Sequence, residues 1–163
     1  MRGKAWKFAD NISTDLIAPG RYFHLRSNLP ELAKHVLEDA NADFAKKLHK
    51  GDFIVAGKNF GLGSSREHAA QIIKIAGAGA ILAKSFSRIF FRNAINVGIP
   101  AIAADTSKIK EGDELEIDLE KGLIRDVTRN FRLKFAPLPK IMTDILKAGG
   151  LVKYIRKYKD FKL

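Results

Sequence analysis

The residues best suited to chemistry lie together in Gly57-Lys58-Asn59-Phe60-Gly61-Leu62-Gly63-Ser64-Ser65-Arg66-Glu67-His68-Ala69. Gly61 and Gly63 allow backbone angles closed to other residues and let a ligand come close to the chain. Two hydroxyls, Ser64 and Ser65, and the Arg66 guanidinium follow, and a guanidinium forks onto a carboxylate through two parallel hydrogen bonds. Between a buried strand and a helix start, such a turn directs amide N–H groups and the positive end of the helix dipole outward, which favours an anion. A polycarboxylate would suit this set. A purely structural account competes with it, because Ser64 and Glu67 have the spacing of a capping box with Ser64 as N-cap. Capping leaves both glycines, Ser65 and Arg66 unexplained. The loop is not a Walker-type phosphate loop, since no Gly-Lys-Ser/Thr follows the glycines. Residue types alone therefore predict an anion site and leave the reaction class open.

The elements that must position this loop follow from periodicity. Residues 3–8 read as a strand that runs into turn formers at 9–15. A short apolar stretch at 16–18 is broken by Pro19 and Gly20, and residues 21–29, without a clean period, read as a loop. Pro30 opens a helix with Leu32, Val36 and Leu37 at helical spacing, and residues 43–48 form a second helical stretch. Strands at 53–56, 80–83 and 99–103 then alternate with a helix at about 65–75 and one marked by Phe86, Ile89, Phe90, Ala94 and Val97. That alternation implies parallel pairing through right-handed crossovers. Residues 115–119 alternate strictly, Lys121-Gly122 turns, and residues 123–127 and 131–135 continue an antiparallel group. Helices at 141–147 and 151–158 close the chain. The expected fold is a single α/β domain over residues 1–163, its mixed, partly parallel sheet flanked by helices, with a helical tail from about 140.

Composition narrows the classes. The 163 residues are 46% hydrophobic, enough for one compact core. No apolar run approaches the roughly 20 residues of a membrane span, and the N-terminus lacks a signal-peptide pattern, so a cytoplasmic protein without a membrane partner is expected. The chain has no cysteine, which rules out disulfides and any iron–sulfur cluster held by its own thiolates. His24, His35, His49 and His68 have no metal-ligand spacing, and no metal is expected here. The net charge of +11 fits an anionic substrate or an acidic protein partner. A rival reading, a basic RNA-binding module, rests on that charge and on Tyr154, Tyr158 and Phe161 among the lysines of residues 153–162. No nucleic-acid-binding motif supports it, and no nucleic-acid partner is expected.

Residues 59–69 resemble the swivelling-domain signature of the aconitase superfamily. Ser85-Phe86-Ser87-Arg88-Ile89-Phe90-Phe91-Arg92-Asn93-Ala94 resembles the segment that follows it in small subunits of 3-isopropylmalate dehydratase. Asp10-Asn11-Ile12-Ser13-Thr14-Asp15, then Ile17, Pro19, Gly20 and Tyr22, matches the start of that family, so the resemblance runs from Arg2 to about Val127. It implies an aconitase-type β/β/α swivelling domain that serves a hydro-lyase. Such enzymes move a hydroxyl between neighbouring carbons of a di- or tricarboxylate through an unsaturated intermediate. It further implies Ser64 as the alkoxide base, with Gly63, Ser65 and Arg66 binding substrate. A [4Fe–4S] cluster is implied on a separate large subunit, the two chains forming a hetero-oligomer of heterotetramer type. The implied role is in leucine biosynthesis, on 2- and 3-isopropylmalate.

The family's substrate-selecting loop corresponds to residues 22–28. Phe23 and Leu25 suit an isopropyl group, whereas Arg26 departs from an apolar pattern and suits a further carboxylate, as in homoaconitate. Homoaconitase, or a dual-substrate enzyme, is thus the alternative. His24 is expected to be a loop contact, His68 to make structural hydrogen bonds, and Glu67 to cap the helix or orient Arg66. Arg88 and Arg92, at i and i+4 on one helix face, would meet a partner or carboxylates of their own chain. Phe86 and Phe90 read as core.

Overall fold

The computed structural model describes residues 1–159. Strand β1 (Arg2–Lys7) leads through helix α1 (Thr14–Ile17) and a 3-10 segment, Gly20–Ser27, to the short helices α2 (Leu29–Ala33) and α3 (Phe44–Lys47). The alternating part follows: β2 (Phe53–Ala56), α4 (Glu67–Ala76), β3 (Ala80–Ala83), α5 (Arg88–Val97) and β4 (Ala101–Ala103). Strands β5 (Glu114–Asp118), β6 (Leu123–Asp126) and β7 (Phe131–Lys134) precede helices α6 (Lys140–Ala148) and α7 (Leu151–Tyr158).

All strands join one seven-stranded sheet in the order β4-β3-β2-β1-β5-β6-β7. Strands β1 to β4 are parallel, and β1 turns its other edge to β5, from which the pairing is antiparallel. The mixed sheet read from the sequence is therefore present, with β1 as its seam. Strands β2 and β3 are buried throughout because both of their faces are covered. Ile54, Ala56, Ile81 and Ala83 enter the core beneath α2, α4 and α5, whereas Phe53, Val55, Ala80 and Leu82 meet Leu115, Ile117 and Ile124 of the curled antiparallel part. Asp52 fastens the seam: its buried carboxylate accepts the Lys4 amide (3.0 Å), the Trp6 indole N–H (3.1 Å) and the His49 amide (3.0 Å). Three donors on one carboxylate offset the cost of burying it.

Three local readings are corrected. Residues 21–29 are not an irregular loop but largely 3-10 helix, whose three-residue repeat puts Tyr22 and Leu25 side by side against the core. The helix opened by Pro30 stops at Ala33; Leu37 has a φ of 57°, so Val36 and Leu37 are buried from turns. In the C-terminal helices Tyr154 is a core residue, packed with Ile95 and Ile145, and its ring lies 4.9 Å from that of Tyr158. That removes Tyr154 as a stacking platform for RNA bases; Phe161 and Lys162 lie outside the described residues. No helix among the described residues is long and apolar enough to cross a membrane.

Candidate active site

The glycine-rich loop leaves β2 at the C-terminal edge of the parallel strands, the edge where open α/β sheets bind ligands. Its first half is pinned on both sides. The Gly61 amide donates to the Ile12 carbonyl (2.7 Å) and the Thr14 amide to that of Leu62 (2.8 Å). Across the other side, Phe60 bonds to Ser85 (3.0 Å) and Ser87 to Phe60 (2.9 Å). Asn59 is held by the Ser85 hydroxyl (2.9 Å) and by the side chain of Asn11 (2.8 Å). Gly61, at φ 77°, lies directly over Phe90: a Cβ there would be 2.1 Å from the ring's Cγ. No larger residue fits without displacing the buried phenylalanine.

Beyond Leu62 the loop opens. Gly63 reverses the chain at φ 104°, and the buried Thr14 hydroxyl holds the Ser64 carbonyl at 3.1 Å. The amides of Gly63, Ser64, Ser65 and Arg66 donate to no acceptor among the described residues, and neither serine hydroxyl has a partner there. Ser64 and Ser65 are exposed. The capping box does not form. Helix α4 begins at Glu67, Arg66 occupies the N-cap position in extended conformation, and no side chain caps it. Ser64 therefore sits too far ahead of the helix to cap it, and its hydroxyl is left available.

Arg66 is oriented from a distant part of the chain. Its guanidinium pairs with Asp15 (2.6 Å) and bonds the Ala18 carbonyl (3.4 Å). Glu67 makes no ion pair with it. Asp15 was missed as a site residue because, in sequence, it is only the last of several turn formers. The 3-10 segment brings Phe23 and Arg26 to the same place. The Arg26 guanidinium lies 4.4 Å from the Phe23 ring centre and that of Arg66 5.9 Å from it, both within cation–π range. Leu25 is half-buried against the core instead, and His24 is exposed. His68 makes no hydrogen bond with a described residue; its ring stands edge-on to Phe23, at 6.4 Å. Burial, then the charges of Arg66 and Arg26, push the imidazole below its ordinary value of 6.5, so it is neutral at pH 7. The structure thus gathers Gly63, Ser64, Ser65, Arg66, Phe23 and Arg26 into one solvent-open, cationic cluster.

The donors among the described residues do not suit a metal centre. The chain has no cysteine, and the described residues contain no group of three His, Asp or Glu that could hold an ion.

Comparison with known proteins agrees with this architecture. Residues 7–106 match the family model for the aconitase C-terminal domain. The chain is 62% identical over 163 residues to 3-isopropylmalate dehydratase small subunit 2 of Archaeoglobus fulgidus, spanning 100% of this chain and 99% of that protein. It is 65% identical over 162 residues to small subunit 1 of Thermotoga maritima, spanning 99% and 98%. The chain belongs to the 3-isopropylmalate dehydratase small subunits of the aconitase family. A crystal structure of 3-isopropylmalate dehydratase from Methanocaldococcus jannaschii superposes with a TM-score of 0.92 at 48% identity, covering 97% of this chain and 94% of that one. Likeness to this family therefore continues through β7, α6 and α7, past the residues whose motifs first indicated it.

Proposed function

We propose that this subunit supplies the base and the carboxylate-binding groups of a 3-isopropylmalate dehydratase, and that a large subunit closes over them. The observation that carries this reading is the open half of the glycine loop: unpaired amides and two free hydroxyls beside an anchored guanidinium. An anionic Ser64 Oγ takes the proton from the substrate carbon. The C–H electron pair becomes the new C=C bond as the hydroxyl on the neighbouring carbon departs. The hydroxyl leaves with its bonding pair as hydroxide; Ser64 holds the proton and returns it to one carbon as hydroxide adds to the other, so one water is lost and regained with the two carbons exchanged. A serine is far too weak an acid to ionise unaided, so its anion must be stabilised where it forms. The amides of Gly63 to Arg66 and the Arg66 charge provide for this once water is excluded. Ser65 and Arg66 bind substrate carboxylate and hydroxyl groups, and Phe23 packs against the isopropyl end.

The [4Fe–4S] cluster that the family implies finds no thiolate here, so we assign it to the large subunit, in a cytoplasmic hetero-oligomer of heterotetramer type. Closure of one chain on the other would complete the site and exclude water. A second reading is favoured by one observation, the position of Arg26 beside Phe23 and Arg66: a tricarboxylate such as homoaconitate would meet a second guanidinium there.

The test is anaerobic reconstitution with the large subunit and assay on both substrates. Turnover of isopropylmalate, unchanged in Arg26→Ala, supports the first reading. Turnover of homoaconitate, with a KM at least tenfold higher in Arg26→Ala, supports the second. Turnover of neither by an intact complex would refute both.

A further inference from the structure

Ser85 belongs to two features at once. Its hydroxyl and carbonyl hold the start of the glycine loop, and it also lines a cleft of about 610 Å³ together with Lys84, Phe86, Arg88, Phe91 and Arg92. None of these residues belongs to the cluster around Ser64. We infer that this cleft is the docking surface for an acidic segment of the large subunit, an inference that rests on the small-subunit reading.

Charge is the first argument. Lys84, Arg88 and Arg92 are all exposed, and neither arginine makes an ion pair with a described residue. Lys84 closes no ion pair with a described residue either; the like charge of Lys7 and the carboxylate of Asp105 both lie in its surroundings. Three positive charges converge on one concave surface in a chain of net charge +11. Carboxylates from a partner would relieve their repulsion and steer its approach.

Apolar surface is the second argument. Phe86 and Phe91, both half-buried, contribute apolar surface to the cleft. A small dicarboxylate would engage the guanidiniums and leave that apolar surface wet, whereas a protein segment covers both. A nucleic acid fits less well, because it needs ring faces to stack on. Here the two rings are half-buried, and Phe86 packs in T-shaped pairs with Phe60 at 6.0 Å and with Phe91 at 5.9 Å. The third argument is continuity. Ser85 lines the cleft and holds Asn59 and Phe60, the start of the loop that carries Ser64, so a partner seated here lies against the base of that loop.

The experiment titrates the small subunit into a fixed amount of large subunit, reading association by calorimetry and, separately, turnover. In the variant Lys84→Glu/Arg88→Glu/Arg92→Glu, half-saturation should need at least tenfold more small subunit, while kcat at saturation and KM stay within twofold. Circular dichroism and Tm should match those of the parent chain. Added salt should weaken the parent association and leave the variant's unaffected or strengthened. The variant Arg88→Lys/Arg92→Lys should associate like the parent chain, and failure to do so would overturn a docking role based on charge. Unchanged half-saturation in the triple variant overturns the inference. So does a raised KM with unchanged association, which would make the cleft a substrate site. Loss of single-stranded RNA binding with unchanged association would likewise overturn it in favour of a nucleic-acid surface. Association is read without turnover, so an inactive complex would count against the proposed reaction and not against the docking surface.

Discussion

Two regions of this molecule use the same chemical groups to opposite ends. At the C-terminal edge of the parallel strands, the Ser64 and Ser65 hydroxyls and the amides of Gly63 to Arg66 have no partner among the described residues, and the guanidiniums of Arg66 and Arg26 are held by the exposed carboxylate of Asp15 and the carbonyls of Ala18 and Phe23. In the antiparallel part, Asp113 and Asp126 are 3% and 0% exposed. Arg129 Nε donates to both oxygens of Asp113, at 3.1 and 2.8 Å, and the Lys110 amide adds a bond of 2.7 Å. The Arg129 amide donates to Asp126 at 2.8 Å, and among the described residues Asp126 Oδ2 is the one buried side-chain oxygen without a partner. Burial, with the neighbouring Asp113, pushes the Asp126 carboxyl up. Asp113 lies below the usual carboxylate range despite its burial, because the Lys110 amide and Arg129 favour its charge. A network whose donors and acceptors meet almost entirely within the chain contributes stability, while an open one waits for a substrate or partner subunit to complete it.

The contrast is tested most severely at Ser64. Ser64→Ala should lower turnover by on the order of 10²–10⁴-fold or more, the scale of a lost proton-transfer group, with Tm unchanged and association intact. A large fall in Tm would place the loop among the structural networks and erase the distinction. The opposite signature is expected of Arg129→Met, which leaves two buried carboxyls without their cation. We expect a loss of about 2–3 kcal/mol, less than for a fully buried pair because Arg129 is partly exposed, or roughly 5–10 °C in Tm, and an unchanged kcat.

Asp126→Asn sharpens the comparison further. A carboxyl whose folded pKa is raised contributes its full stability below its unfolded value, near 4, and loses it as pH rises through the folded value. The parent chain should weaken across that window and the asparagine variant should not, so the variant gains about 1 kcal/mol at neutral pH by urea unfolding. His68 gives the smallest effect, with the reverse sign. Its folded pKa is lowered, so its contribution is full above 6.5 and is lost as pH falls through the lower folded value. His68→Gln should flatten that acid-side decline, by a few tenths of a kcal/mol given solvent screening. A flat parent profile would show that neither burial nor the charges of Arg66 and Arg26 act on the ring.

Legibility followed the range of the forces. Strands β2 and β3 were readable because burial on both faces demands an unbroken apolar run, and β5 because one buried face demands alternation. The 3-10 segment was not, since its repeat of three over few residues matches neither period that a sequence pattern exposes. The capping box had the right spacing and lost to Gly63, whose positive φ turns the chain before the helix begins.

By itself, then, the sequence determined the succession of strands and helices, the glycine-serine-arginine loop and the family to which they point, because hydrophobic period and turn chemistry act over a few neighbouring residues. Only the tertiary structure decided that Asp15 anchors Arg66, that Arg26 and Phe23 stand beside the loop, that Lys84, Arg88 and Arg92 line one cleft, and that Asp113 and Asp126 share a buried site. Those groups come from separate segments, and they meet only after the sheet order has brought the strand ends together; no local pattern encodes that distance.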